Sequence, residues 1–316
     1  MNPWPRLTVS FLLAATPGLR ACGACGCTLN TDWGAQGFHF TPGFSLDIRA
    51  DYFDQDQLRS GTKALNRSDF PLPQEFEVQR NTLNRNLTLS LDYSPNKDWG
   101  FTLLIPTYNR FHTTYAEGDT DLSSSEGRGM GDLKVLVSYK GWRVDGRFGL
   151  QAGLKLPTGH FTDTFSEGPQ AGQPLDRGLQ LGTGTTDLLL GVFGFGGLSD
   201  HWDYYAHALY QTPLNSREAF RPSAGVNVTM GMRCTASAWI IPHIQVNLRM
   251  EGREAGANGD APNSGATLAY LSPGATFPVG HGSQIYAFLQ LPLLQRVNGL
   301  QIEPRTFFSV GFHHRF

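Results

Sequence analysis

"FSLDIRADYF", residues 44–53, sets Phe44, Leu46, Ile48, Ala50 and Tyr52 on one side of a period-two alternation and Ser45, Asp47, Arg49 and Asp51 on the other. Successive side chains of an extended chain point to opposite faces, so the stretch predicts a strand with one apolar and one charged face. The same rhythm returns down the chain. "LNRNLTLSLDY" (83–93) opposes Leu83, Leu87, Leu89, Leu91 and Tyr93 to Asn84, Asn86, Thr88, Ser90 and Asp92, with Arg85 breaking the apolar row. "DLKVLVSYK" (132–140), "RFGLQAGLKL" (147–156) and "IPHIQVNLRME" (241–251) repeat it, carrying Asp132, Lys134, Arg147, Lys155, Arg249 and Glu251 on their polar faces.

With the weaker runs included, the pattern predicts twelve strands, at 43–54, 77–93, 99–112, 130–140, 145–157, 184–196, 203–213, 221–232, 238–252, 266–277, 284–296 and 305–316. The connections alternate in length. "SPNKD", "GWRV", "LSDH", "RCTAS" and "VGHGS" are tight turns, whereas 55–76, 113–129, 158–183 and 253–265 are long; 214–220 and 297–304 are shorter. No composition break divides residues 43–316, which read as one domain.

Two architectures accommodate many alternating antiparallel strands. A soluble sandwich buries its apolar faces between two sheets. A transmembrane barrel turns them to lipid and keeps the polar faces inside. Three features favour the barrel: strands of ten or more residues, long enough to cross a bilayer when tilted; an even count with short turns at one end and long loops at the other; and aromatic residues flanking the apolar rows, such as Tyr93, Trp99, Trp142, Trp202, Tyr204 and Tyr205. The expected fold class is therefore an all-β transmembrane antiparallel barrel of about twelve strands, of bacterial outer-membrane type. The final "SVGFHHRF" runs in strand register to Phe316 and resembles the C-terminal signature that outer-membrane assembly machinery recognises. The partners expected are that machinery, through Phe316, outer-membrane lipid and lipopolysaccharide, and a small-molecule solute.

Net charge of −2 and an isoelectric point near 6.5 leave no electrostatic footprint for nucleic acid. Mean hydropathy of −0.27, with no apolar run of helix-spanning length, excludes a helical membrane protein. At the N-terminus Arg6, the apolar "LTVSFLLAA" (7–15) and a cut after Ala21 make residues 1–21 an expected export signal. A Cys- and Gly-rich periplasmic lead (22–42) precedes the barrel.

Within that class, "GRGMGDLKVLVSYKG" (127–141), "LQAGLKLPTG" (150–159) and "LQLGTGTTDLLLGVFG" (179–194) resemble the outer-membrane proteins grouped as the "MetA pathway of phenol degradation" family. Gly131-Asp132, Leu156-Pro157-Thr158-Gly159 and Gly182 to Asp187 carry the likeness, with Thr185 where that family commonly has Ser. It is sharpest over about 70 residues. The resemblance implies a transport channel, and says more about fold and location than about solute. Physically, Pro157 lacks a donor and Gly159 tolerates positive φ, so the pair ends a strand at a rim and opens a loop. Asp132 and Asp187, opening successive strands, either fasten the 158–183 loop or select solute, with Arg147, Lys155 or loop amides as hydrogen-bond donors.

Cys22, Cys25 and Cys27 form the one compact constellation, C-x-x-C-x-C. It lacks the His of a haem-attachment motif and the second half of a zinc site, with His39 the nearest addition. A periplasmic disulfide, acylation of Cys22, and soft-metal or redox binding by the three thiolates stay open, and Cys234 is a further pairing candidate. No cofactor is expected beyond a metal there. None of the histidines has the spacing of an enzyme site on a lipid-facing stripe, so no catalytic residue is expected. The lumen candidates are Asp47, Arg49, Asp51, Asp92, Asp132, Lys134, Arg147, Lys155, Asp187, Arg249 and Glu251. These carry both signs, and they predict a passive channel for small polar or aromatic solutes without strong charge preference. The alternative is a non-conducting barrel that docks a metal or redox partner through its N-terminal cysteines.

Overall fold

A strand hydrogen-bonded along both edges leaves no open ladder, and closure into a ring is the one way every strand of a sheet meets that condition. The structure, a computed structural model, describes residues 42–142 and 147–316. In chain order the strands are β1 (Gly43–Gly61), β2 (Lys63–Ala64), β3 (Val78–Ser94), β4 (Trp99–Tyr115), β5 (Ser123–Met130), β6 (Leu133–Tyr139) and β7 (Phe148–Leu156). β8 (Asp187–Ser199), β9 (Trp202–Pro213), β10 (Gly225–Cys234), β11 (Ile241–Glu251), β12 (Ala266–Gly280) and β13 (Ser283–Arg315) follow. Eleven of them form one antiparallel ring in sequence order, which the pairing of β1 with β13 closes; β2 and β5 lie off it. A single closed sheet excludes the sandwich.

β13 supplies two staves. Its residues 283–297 pair with β12 and its residues 297–315 with β1. Gln290 donates to Ser309 Oγ at 3.4 Å although the two stand 19 positions apart, a separation of about 60 Å in a straight strand. The run therefore folds back at Asn298-Gly299, where Gly299 has a φ of 59°, as a tight hairpin turn requires. Counting both arms, the wall has the twelve staves read from the sequence.

Two predicted loops become strand. β1 continues to Gly61, and the predicted 113–129 loop is a hairpin in which β4 pairs with β5 from Thr107↔Met130 to Thr114↔Ser123. Apart from Leu58, which is buried against Val78 and Ile302, these extensions are polar on both faces, so the apolar alternation that marks a wall strand is missing there. In the other direction, 184–186, 221–224 and 238–240 are not strand.

The two faces are inverted relative to a soluble protein. Tyr52 is 51% exposed while Asp51 is 3% exposed, and Met230 is 55% exposed beside Thr229 at 1%. Phe44, Leu87, Leu91, Phe101, Val192, Ile244 and Leu293 extend this outward apolar band around the wall. Near the short turns, Phe44 stacks on Tyr93 at 4.4 Å and Trp99 lies tilted against Tyr139 at 4.6 Å, which builds an aromatic collar.

Inside, the side of the lumen toward β12 and β13 is filled, with side chains of β1, β9 and β11 reaching into it. Tyr205 donates to Gln245 (2.8 Å), Gln245 to Asn247 (2.7 Å) and Asn247 to Ser272 (2.9 Å). Across the closure Ser309 donates to Asp51 (2.6 Å), which also takes Arg49 Nε at 3.0 Å. Phe53, Leu268, Tyr270 and Phe307 pack beside this network.

Inward rings lie against glycines of neighbouring staves. A Cβ at Gly231 would stand 2.3 Å from Tyr205 Cζ, one at Gly149 2.1 Å from Phe193, one at Gly274 2.3 Å from His243, and one at Gly311 2.1 Å from Tyr286. Each glycine is the space its ring occupies. Gly231→Val should therefore cost about 1–3 kcal/mol in urea-driven unfolding from detergent micelles. Gly194→Val, on the outward face with only the Arg147 carbonyl at 3.5 Å, should stay within about 0.5 kcal/mol of the parent.

Candidate functional site

The unfilled sector encloses a chamber of about 250 Å³ against β1, β3, β4 and the staves β6 to β11. Small and polar inward residues leave this room: Thr88, Ser90, Thr102, Ser138 and Gln151 border it. Its charged lining is balanced, with six carboxylates and six cationic side chains. One part of the wall is apolar instead. There Leu136 covers Gly153 and Leu209 lies over Gly191, whose absent side chains keep the wall thin.

The roof is the loop between β7 and β8, whose Gly178 and Gln180 to Thr183 line the chamber. Its neck closes on itself. Gly159 and Gly182 touch backbone to backbone, so closely that a Cβ at Gly182 would lie 2.2 Å from the Gly159 carbonyl oxygen. Asp132 ties both ends: Oδ1 accepts from the Gly159 amide and Oδ2 from the Thr183 amide, each at 3.0 Å. Lys155 Nζ sits between Asp132 (3.2 Å) and Asp187 (3.0 Å), and all three side chains are buried. Asp187 in turn accepts from Thr185 (2.8 Å) and Gln211 (2.6 Å). The inner part of the loop is drawn to the wall by Arg110, which donates to the Leu179 carbonyl at 2.6 Å and to Asn84 at 3.0 Å. Leu175, Leu179 and Leu181 are buried by this folding.

Arg177 joins the roof to the β9–β10 loop. Its guanidinium lies 4.2 Å from the Phe161 ring and 4.9 Å from Phe220, pairs with Glu218 at 3.2 Å and donates to the Thr183 carbonyl at 2.9 Å. Glu254, from the β11–β12 loop, completes the mouth and accepts the Asp260 amide at 3.1 Å. Burial lifts its carboxyl to about 7; Glu251, Asp176 and Asp260 add to the rise, and the Asp260 amide opposes it.

Of the residues expected at the lumen, Asp47, Arg49, Asp92, Asp132, Lys134, Lys155, Asp187, Arg249 and Glu251 border the chamber. Asp51 is buried in the filled sector, against Arg49 and Ser309. Arg147 is exposed and precedes β7 at the short-turn end, so the alternation there runs past the rim, where no lumen remains. Of the donors considered for Asp132 and Asp187, Lys155 and the loop amides make the contacts. Arg49 pairs with Asp51 and Arg249 with Glu251, at 3.0 and 2.9 Å, so much of the charge is matched within single strands. Sequence reading missed Arg110, Arg177 and Glu254. Arg110 was within reach, because it continues the inward parity of Thr102, Leu104, Pro106 and Tyr108; the other two stand in loops, where no period exists.

Cys22, Cys25, Cys27 and His39, with the expected signal and nearly all of the lead, lie outside the described residues. Cys234 ends β10, rather than sitting in a turn, and has no cysteine partner among the described residues.

No protein-family model and no curated protein matches this sequence. Among solved structures, the chain is similar to an outer-membrane channel from Pseudomonas putida F1 at 13% identity and a TM-score of 0.62, covering 89% of this chain and 98% of that one. It is also similar to the translocator domain of the autotransporter NalP from Neisseria meningitidis, at 9% identity and a TM-score of 0.50, covering 90% and 91%. The toluene transporter TbuX of Ralstonia pickettii overlaps less well, with a TM-score of 0.45 at 9% identity over 94% and 97%. At such identities the likeness is one of fold: a closed antiparallel β-barrel like those of outer-membrane proteins.

The clasp at the loop neck has a direct test. Lys155→Met leaves Asp132 and Asp187 buried without their shared cation, and should cost about 3–5 kcal/mol, with faster proteolysis inside 157–186. The Asp132→Asn, Lys155→Met, Asp187→Asn triple variant should recover part of that loss, measured by urea unfolding and by cleavage rate.

Proposed function

We propose that this protein is a passive channel of a bacterial outer membrane, admitting small solutes that combine an apolar body with polar groups. The observation that carries the reading is a polar chamber enclosed by a wall whose outer face is apolar. An exposed band of Leu, Ile, Val, Met and aromatic side chains costs free energy in water and is stabilising in lipid. Short turns face the periplasm and long loops the exterior in this orientation, as in bacterial barrels generally.

Selectivity follows from the chamber. Its volume is about 250 Å³, above the roughly 150 Å³ of a cavity that takes up benzene. Leu104, Leu136, Phe193 and Leu209 present an apolar surface, with Arg49, Arg249 and Glu251 among the charges lining the same space. The matched charges favour neither anions nor cations strongly. The inward loop, clasped by Asp132, Lys155 and Asp187, roofs the chamber. Transport needs no cofactor and no chemical step, so the protein is read as a channel rather than an enzyme.

The filled sector supports a second reading, a barrel without throughput. Planar-bilayer recording of the refolded full chain separates the two. Discrete openings that added aromatic carboxylates or amines interrupt are expected; silence from protein shown to be folded by heat-modifiable gel mobility would leave the non-conducting barrel.

Glu254 makes permeation pH-dependent. Its carboxyl stands near 7 in the folded mouth against 4.5 for an ordinary glutamate. The stabilisation from its protonated form is full below the lower value and disappears as pH rises through the higher one. Ionisation then adds negative charge beside Glu251, Asp176 and Asp260. Under a KCl gradient the reversal potential should move toward cation preference between about pH 6 and about pH 8, and Glu254→Gln should flatten that change.

A further inference from the structure

Four arginines gather on the outward side of the wall at its long-loop end, where the chamber chemistry makes no use of them. Arg85 faces outward on β3, opposite Tyr52 of β1, which in turn pairs with Phe308 of β13. Tyr52, Leu87 and Phe308 are exposed members of the apolar band, so Arg85 interrupts it near its upper edge, with Leu83 and the exposed Phe111 one pair further up. Just beyond stand Arg80 and Arg305, both exposed, the latter with 66% of its side-chain surface accessible.

Between them lies Arg67, in the loop after β2. Its guanidinium is set by main-chain acceptors: Nε donates to the Gln79 carbonyl at 3.0 Å, and Nη2 to those of Asp56 (2.8 Å) and Arg80. Two carboxylates share the patch. Asp56 pairs with Arg305 at 3.1 Å, and Asp54 accepts from Asn81 at 3.3 Å. Two acids do not balance four guanidiniums. Partial burial, and then the like charges of Arg80 and Arg305, lower the pKa of Arg67, against the pull of Asp56 and Asp54. Holding like charges together on a surface is unfavourable unless an anion joins them.

We propose that Arg80, Arg305, Arg85 and the preset Arg67 form a binding site for the phosphorylated headgroup of a glycolipid in the surrounding outer leaflet. The site rests on the outer-membrane reading above. Its position selects the ligand: a group that lies against the apolar band with its acyl chains and reaches the arginines with its head is a lipid of that leaflet. Its chemistry selects phosphate, because a guanidinium presents two parallel donors that match phosphate oxygens.

The test uses the refolded full chain in detergent, titrated with purified lipid A and, separately, with lipid A stripped of its phosphates. Binding is followed by native mass spectrometry. The Arg80→Gln, Arg305→Gln variant should bind lipid A about tenfold more weakly or worse, while the Lys pair at the same positions stays within about threefold. Dephosphorylated lipid A should bind the parent and the Gln variant equally weakly. Equal affinity of parent and Gln variant for lipid A, or no loss on removing the phosphates, would overturn the site. Failure of the barrel reading shows separately, as a parent chain that neither resists heat on gels nor inserts into a bilayer.

Discussion

The structure depends on the pairing of β1 with the second arm of β13. That ladder runs from Ser45↔Arg315 to Gly61↔Val297 and joins the two ends of the described chain into one wall. Without it, the backbone groups along one edge of each strand would stay unpaired, and in a bilayer each such group costs several kcal/mol. With it, the outward face need only be apolar and the inward face need only be self-consistent. Asp51 shows the coupling: its carboxylate takes both Arg49 from its own strand and Ser309 from across the closure. The seam is thus bonded through side chains as well as main chain.

Closure creates an interior that must be divided between support and space. On one side, rings seated on glycines and an unbroken relay of amides and hydroxyls fill the lumen. Rings suit this role because they have few rotamers, and amides because each both donates and accepts and so can link a relay. On the other side, Thr88, Ser90, Thr102 and Ser138, with Gly153 and Gly191 under leucines, leave room between the larger lining residues. The roof over that chamber is held at its neck, where Asp132 and Asp187 grip both Lys155 and the loop itself. Arg110 and Arg177 then hold its inner part, so the loop is fastened at the neck and again further in.

Much of the wall was legible in the sequence, and the places where reading failed have a common cause. Period-two alternation marks a strand only where one face meets an apolar medium. Above the band, β5 is a strand with polar residues on both sides, so nothing in "SSSEGRG" distinguishes it from loop, and upper β1 carries only the single apolar Leu58. Arg147 fails the other way, because its parity is right but its strand has not yet begun. Arg110 lay on a readable row, while Arg177 and Glu254 come from loops, and loop residues reach a site through long-range contacts that leave no local period.

What the sequence by itself determined is the set of faces: which residues point out, which point in, and at which end the chain turns tightly. Side-chain direction in a strand is local, decided by backbone geometry one residue at a time, so the amino-acid order is enough. Only the tertiary structure decided which inward residues surround open space, which pack solid, and which hold the roof. Those outcomes depend on register between staves, on the fold-back of β13 and on a loop returning to Asp132 across some fifty positions. They arise from contacts between residues far apart in the chain, and no short stretch contains them.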